Sequence, residues 1–261
     1  MIFLNCLIVY KDSLMEVDLL NILLLAGIIC FSSMIQSAVG FGIALFATPL
    51  LLQMGIPLPS VIIIMLVCSM FQSAMGIFRL RQPMQWKLSS IAVLVRIIGI
   101  ISGIFILKFL LVTNVDNIKM IVGYILCLSV VLQLFCKQHP VEKLHWGWGG
   151  LAFTASGLLA GVCGMGGPPL ILWVMAHDWS TKKIRSFMFG LLIASAIFQI
   201  ILMRFFFGDV IYKDILIGVC LAPVIYLGVH IGLPLGHKMS KTTLRRVAYV
   251  ILLGIAIASI I

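Results

Sequence analysis

Apolar stretches of about 20 residues, the length at which a helix crosses the hydrocarbon core of a bilayer, recur from residue 19 to residue 261 with only short polar connectors between them. At membrane depth every backbone N–H and C=O must be satisfied within the protein, so stretches of this length can span only as helices. Full-length candidates lie at 19–38, 60–78, 87–111, 118–136, 147–163, 186–207, 214–234 and 246–261. Two further apolar stretches, 43–53 and 168–176, are about half as long. Each directly follows a glycine-rich run, VGFG (39–42) or CGMGG (163–167). The expectation is an all-α polytopic membrane protein with about eight full spans and two short half-helices.

Composition agrees. With 62% hydrophobic residues and only 8 acidic and 18 basic ones, the chain lacks the polar surface that a soluble core of this size requires. The net charge of +10 does not point to nucleic acid, because the basic residues lie between apolar stretches rather than along one face. Residues 1–18 have no basic residues ahead of their apolar run and no small-residue cleavage site, and are read as a short exposed or interfacial arm. The seven cysteines are scattered singly, without metal or redox spacing. They are expected to be free, and neither a metal nor a cofactor is implied.

Lysine and arginine report sidedness. If each short stretch returns the chain or crosses thinly, twelve fall on one side: Arg79, Arg81, Lys87, Lys137, Lys143, Lys182, Lys183, Arg185, Lys238, Lys241, Arg245 and Arg246. Five fall on the other, Lys11, Lys108, Lys119, Arg204 and Lys213, and Arg96 lies inside a stretch. This bias places the twelve in the cytoplasm and both termini outside, in a multi-pass membrane protein.

Aligned on itself at an offset of 124 (156 − 32), the chain superposes Ser32, Gly40 and Gly42 on Ser156, Gly164 and Gly166. With small gaps, Phe71-Gln72 meets Phe198-Gln199, and Gly99 with Gly103 meets Gly228 with Gly232. The organisation read from this is an N-terminal arm (1–18), a first membrane repeat (19–136), a cytoplasmic linker (137–146) and a second membrane repeat (147–261). Five membrane segments per half make it an inverted-topology repeat.

Non-helical backbone at membrane depth is tolerated only where protein or a water-filled cavity surrounds it. Gly40, Gly42, Gly164, Gly166 and Gly167 permit such backbone, and Pro168 and Pro169 suit the first turn of a new helix. The start of a helix offers unpaired N–H groups and the positive end of a dipole, an anion site. Inversion turns the two starts toward each other. The two breaks, with Phe41 and Met165 in them, are therefore the expected site for a small anion. Gly99, Gly103, Gly228 and Gly232 are read instead as close helix-packing positions.

At these residues the chain resembles the sulfite exporter TauE/SafE family of membrane permeases. The resemblance is carried by SAVGFGIALFATPLL (37–51) and GLLAGVCGMGGPPL (157–170), and it extends through LAPVIYLGVHIG (221–232) and the basic stretch ending at Arg246. It implies a bacterial-type cell-membrane permease moving small, often sulfur-containing, organic or inorganic anions. One departure is Phe41 with Ile43-Ala44, where that family often has a longer glycine run.

Arg96 is the charge lying well inside a predicted span, which makes it a functional candidate. Snorkelling to the interface is the equally weighted alternative. Gln36, Gln72 and Gln199 can donate to an anion or bond between helices. Cys163 and His230 are considered for thiol chemistry and proton coupling, with packing or surface roles favoured. The eight acidic residues all sit at or outside predicted span ends, so none announces itself as a buried relay.

Together the two breaks suggest a permease that carries a small anion by alternating access, and the resemblance implies a sulfite, sulfonate or related oxyanion. The alternatives are an importer of another organic anion, a noncatalytic scaffold, or an intramembrane enzyme. The last lacks a partnered nucleophile at depth, so no enzymatic activity is expected. The expected partners are a small anionic substrate and the lipid bilayer; a homo-oligomer is left open.

Overall fold

A computed structural model describes residues 19–39, 42–80, 86–113, 118–135, 146–238 and 250–258. The arm at 1–18, Gly40 and Phe41 in the first break, and residues 137–145 of the expected linker lie outside the described residues. So do Arg81, Lys137, Lys143, Lys241, Arg245 and Arg246 of the basic set.

The described residues are helical almost throughout. In chain order the helices are α1 (Leu19–Val39), α2 (Ile43–Gln53), α3 (Leu58–Leu80), α4 (Trp86–Thr113), α5 (Ile118–Phe135), α6 (Trp146–Cys163), α7 (Gly167–Met175), α8 (Thr181–Phe207), α9 (Ile211–Cys220) and α10 (Ala222–Lys238). A further helix, α11, covers 250–258. α2 and α7, at about 1.5 Å per residue, reach roughly 17 and 14 Å and cannot cross a core of about 30 Å.

Four helices, α1, α3, α4 and α8, are long and apolar enough to cross a membrane. Where one continuous span is expected at 214–234, the chain instead forms α9 and α10, which meet at 45° around Leu221. Pro223 supplies the cause. It has no N–H to donate one turn back, and its ring crowds the preceding turn. Counted as one bent span, this pair makes a fifth. α5 and α6 are shorter apolar helices. The eighth expected span, 246–261, is described only at 250–258.

Large apolar side chains cover the outside of the bundle. Leu94, Ile98, Phe105 and Phe109 follow one face of α4, and Ile197, Ile201 and Phe205 one face of α8, all exposed. Spacing of three and four residues places each set on one stripe. In water such stripes would be a liability; in lipid they are the solvent-facing surface.

The interior contacts come in corresponding pairs. α4 packs along α6, and α10 along α1; α4 packs on α8, and α9 on α3; α3 and α8 meet each other. Glycine is what lets the first two seams close. A methyl at Gly99 would lie 2.2 Å from the Thr154 carbonyl oxygen, and one at Gly157 would lie 2.1 Å from the Arg96 carbonyl oxygen. Across the other seam, a methyl at Gly228 or Gly232 would meet the carbonyl oxygens of Cys30 or Met34 at 2.6 and 2.2 Å. A methyl at Gly103 would likewise lie 2.3 Å from the Leu158 carbonyl oxygen, so Gly99, Gly103, Gly228 and Gly232 are packing positions, as expected.

Two expectations need correction. Cys220 is disulfide-bonded, although its spacing from other cysteines gave no sign of it, because a disulfide joins residues close in space rather than in sequence. Cys30, Cys68, Cys127 and Cys163 are free thiols. Asp214, the first residue of an expected span, is buried, because the start of α9 folds against α3 and the Ser60 hydroxyl donates to its carboxylate.

Candidate functional site

The two breaks meet. Gly42, Ile43, Ala44 and Leu45 from the first, and Gly164, Met165, Gly166 and Gly167 from the second, line one cavity of about 70 Å³ together with Gln36, Arg96 and Gln199. A water needs about 10–15 Å³ on this measure, so the space suits about five waters or one small oxyanion.

The local backbone explains why glycine stands at the breaks. Gly42 has φ +117° and Gly164 φ +74°, conformations that a side chain strongly disfavours. Gly166 is required for another reason. A methyl there would lie 2.5 Å from the Ser156 carbonyl oxygen, 2.8 Å from Ala160 Cβ and 2.8 Å from Arg96 Nη2. Gly167, by contrast, has nothing closer than 3.9 Å.

Arg96 is 3% exposed, so its side chain does not snorkel outward. It lines the cavity, and its Nε and Nη1 have no hydrogen-bond partner among the described residues. Its backbone is pinned by the α4–α6 seam at Gly157. A buried guanidinium without a partnering carboxylate is costly, and the cost falls when an anion comes to it.

The backbone donors are less free than helix starts in general suggest. The leading N–H of α2, on Ile43, donates to Gln36 Oε1 at 2.6 Å. At α7, Pro168 and Pro169 occupy the second and third positions and have no N–H to offer. Gln36 thus caps a helix with its carbonyl. Gln199 Nε2 donates to the Ala160 carbonyl at 2.7 Å while the residue still lines the cavity.

Gln72 is elsewhere. Its Nε2 donates to the Ser33 carbonyl and to Ser37 Oγ, bracing α3 on α1, and it is not among the cavity-lining residues. Its counterpart Gln199 bonds a carbonyl at the same sequence separation of 39, and the preceding Phe71 and Phe198 are both exposed. Cys163 donates to the Leu159 carbonyl and does not line the cavity, and His230 is on the outside, stacked on Tyr226.

The two breaks differ in detail. The Ser156 hydroxyl donates to the Gly166 carbonyl, whereas its counterpart Ser32 is fully buried with no hydrogen-bond partner. Ser69, Ser195, Met65 and Met188 also line the cavity. The sequence reading did not select them. The two serines lie about one turn before Gln72 and Gln199, so the paired phenylalanine-glutamine motif was the available signal.

The chain matches the family model described as sulfite exporter TauE/SafE over residues 24–259. No curated protein and no solved structure matches it.

Proposed function

Because the chain belongs to the sulfite exporter TauE/SafE family, a family of membrane transporters for sulfite or related anions, we propose that it is a cell-membrane permease carrying a small sulfur oxyanion or sulfonate through the cavity between the two breaks. The observation that carries this reading is the convergence of both breaks on one cavity with a buried Arg96 whose Nε and Nη1 have no hydrogen-bond partner among the described residues. Gln199 and the backbone of Gly42, Gly164, Met165, Gly166 and Gly167 complete the lining. Gln36 contributes by holding the start of α2, and Gln72 is a brace rather than a ligand.

The two halves, 19–136 and 147–261, are taken as inverted repeats. The matched packing of α4 on α6 with α10 on α1, and of α4 on α8 with α9 on α3, supports this. In such a carrier the halves exchange roles around a fixed site, opening it alternately to each side. The lysine and arginine bias then orients both termini outward. A negative charge leaving the cytoplasm gains about 2.3 kcal/mol per 100 mV, so export needs no other driving ion.

The test is flux in proteoliposomes of purified protein, offering sulfite, sulfate, thiosulfate, a sulfonate and a carboxylate, with and without an imposed potential. Saturable flux of a sulfur oxyanion or sulfonate that responds to potential is expected. Folded protein that moves none of them would overturn the reading.

A further inference from the structure

We propose that this cavity selects singly charged anions over doubly charged ones of the same size and shape. The inference rests on the permease reading and narrows its substrate class.

A buried site binds an ion well only when the charge is matched, because an unmatched charge taken out of water keeps most of its desolvation penalty. Among the described residues lining the cavity, Arg96 is the sole lysine, arginine, histidine or carboxylate. It is 3% exposed, and its Nε and Nη1 are unpartnered. The site therefore carries one formal positive charge and is completed by one negative charge.

A dianion would need the second charge balanced by backbone and amide donors, and several of these are committed or missing. Ile43 N–H already bonds Gln36 Oε1, Pro168 and Pro169 have no N–H, and Gln199 Nε2 bonds the Ala160 carbonyl. The dipoles of two short helices remain, but a dipole acts through the unpaired N–H groups of its first turn. With three of the six first-turn positions, Ile43, Pro168 and Pro169, committed or lacking an N–H, the second charge is less well compensated than the first. Planar bidentate donation from the guanidinium suits a sulfonate or hydrogen sulfite group, which offers paired oxygens.

Methanesulfonate and sulfate are both tetrahedral and nearly equal in size but differ in charge and in one oxygen replaced by a methyl, so perchlorate, singly charged with four oxygens, is measured beside them and is expected to follow methanesulfonate. Their binding to the full-length purified protein would be measured by calorimetry at one pH and one ionic strength, alongside competition against sulfite flux in proteoliposomes. Methanesulfonate is expected to bind at least ~10-fold tighter than sulfate. Arg96→Gln is expected to lose at least ~10-fold of the methanesulfonate affinity, with Arg96→Lys recovering part of it. The wild-type comparison stands even if the variants misfold. Sulfate binding as tightly as methanesulfonate, or more tightly, with flux intact, would overturn the charge selection and leave the permease reading standing. Absence of both binding and flux would overturn the permease reading itself.

Discussion

Gly166 and Gly167 are neighbours in the same break, yet the packing assigns them opposite fates on substitution to alanine. At Gly166 the new methyl lies 2.8 Å from Ala160 Cβ and 2.5 Å from the Ser156 carbonyl oxygen. Carbon atoms sit comfortably at about 3.5 Å or more, so this contact must open by about 0.7 Å. The atoms to be moved belong to α6, which cannot retreat because Gly157 and Gly161 hold it backbone to backbone on α4. Overpacking of this kind costs about 1–3 kcal/mol. The third neighbour, Arg96 Nη2 at 2.8 Å, is a flexible side-chain end and will yield by moving the charge in the cavity. Gly166→Ala should therefore lower thermal stability in detergent and cut anion flux at least ~10-fold, a loss that corresponds to about 1.4 kcal/mol. Gly167→Ala, whose methyl meets nothing within 3.9 Å, should keep both near wild type. Equal behaviour of the two variants would refute the assignment of the tight contact to Gly166.

Gly157→Ala should destabilise severely or prevent folding, since its methyl would lie 2.1 Å from the Arg96 carbonyl oxygen, whereas Gly150→Ala, with open space, should be neutral or stabilise by up to about 1 kcal/mol in thermal unfolding. Gln72→Leu removes two hydrogen bonds between α3 and α1 and should cost about 1 kcal/mol of stability with flux retained, which flux and melting measured together would check. Gln36→Leu leaves the Ile43 N–H without its acceptor, and should cost about 0.5–2 kcal/mol and reduce flux through the loosened start of α2. Cys163→Ser should preserve flux, because the thiol is buried, bonded to the Leu159 carbonyl and outside the cavity lining.

How much of this was legible in the sequence depends on which physical signal each feature leaves. The long apolar stretches and the two short helices were visible because membrane thickness fixes a length and glycine marks departures from a helix. The starts of α2 and α7 fall at Ile43 and Gly167, within a residue of the expected 43 and 168. The bend at Leu221 was missed although Pro223 is plainly in the sequence, because an apolar stretch of the right length outweighed a single proline. The site was half legible. Gly42, the second break and Arg96 share a cavity, but an arginine inside an apolar stretch is compatible with either snorkelling or inward burial. Only the packing of α4 on α6 decides between them. The glutamines were the least readable, since an amide in an apolar helix looks the same whether it faces a substrate or a neighbouring carbonyl. Gln72 faces carbonyl and hydroxyl partners, Gln199 lines the cavity while bonding a carbonyl, and Gln36 caps a helix. Asp214 was judged by its place at the end of a stretch, yet tertiary packing on Ser60 buries it.

The central claim is that the two breaks act together as one anion site. Its most direct test is anion flux in proteoliposomes of the wild-type protein beside Gly42→Val and Gly166→Val, each reconstituted at matched levels and shown to be inserted. Saturable flux is expected in the wild type and loss of flux in both variants, because valine cannot adopt the backbone at Gly42 or fit the contacts at Gly166. Normal flux through both variants would contradict it.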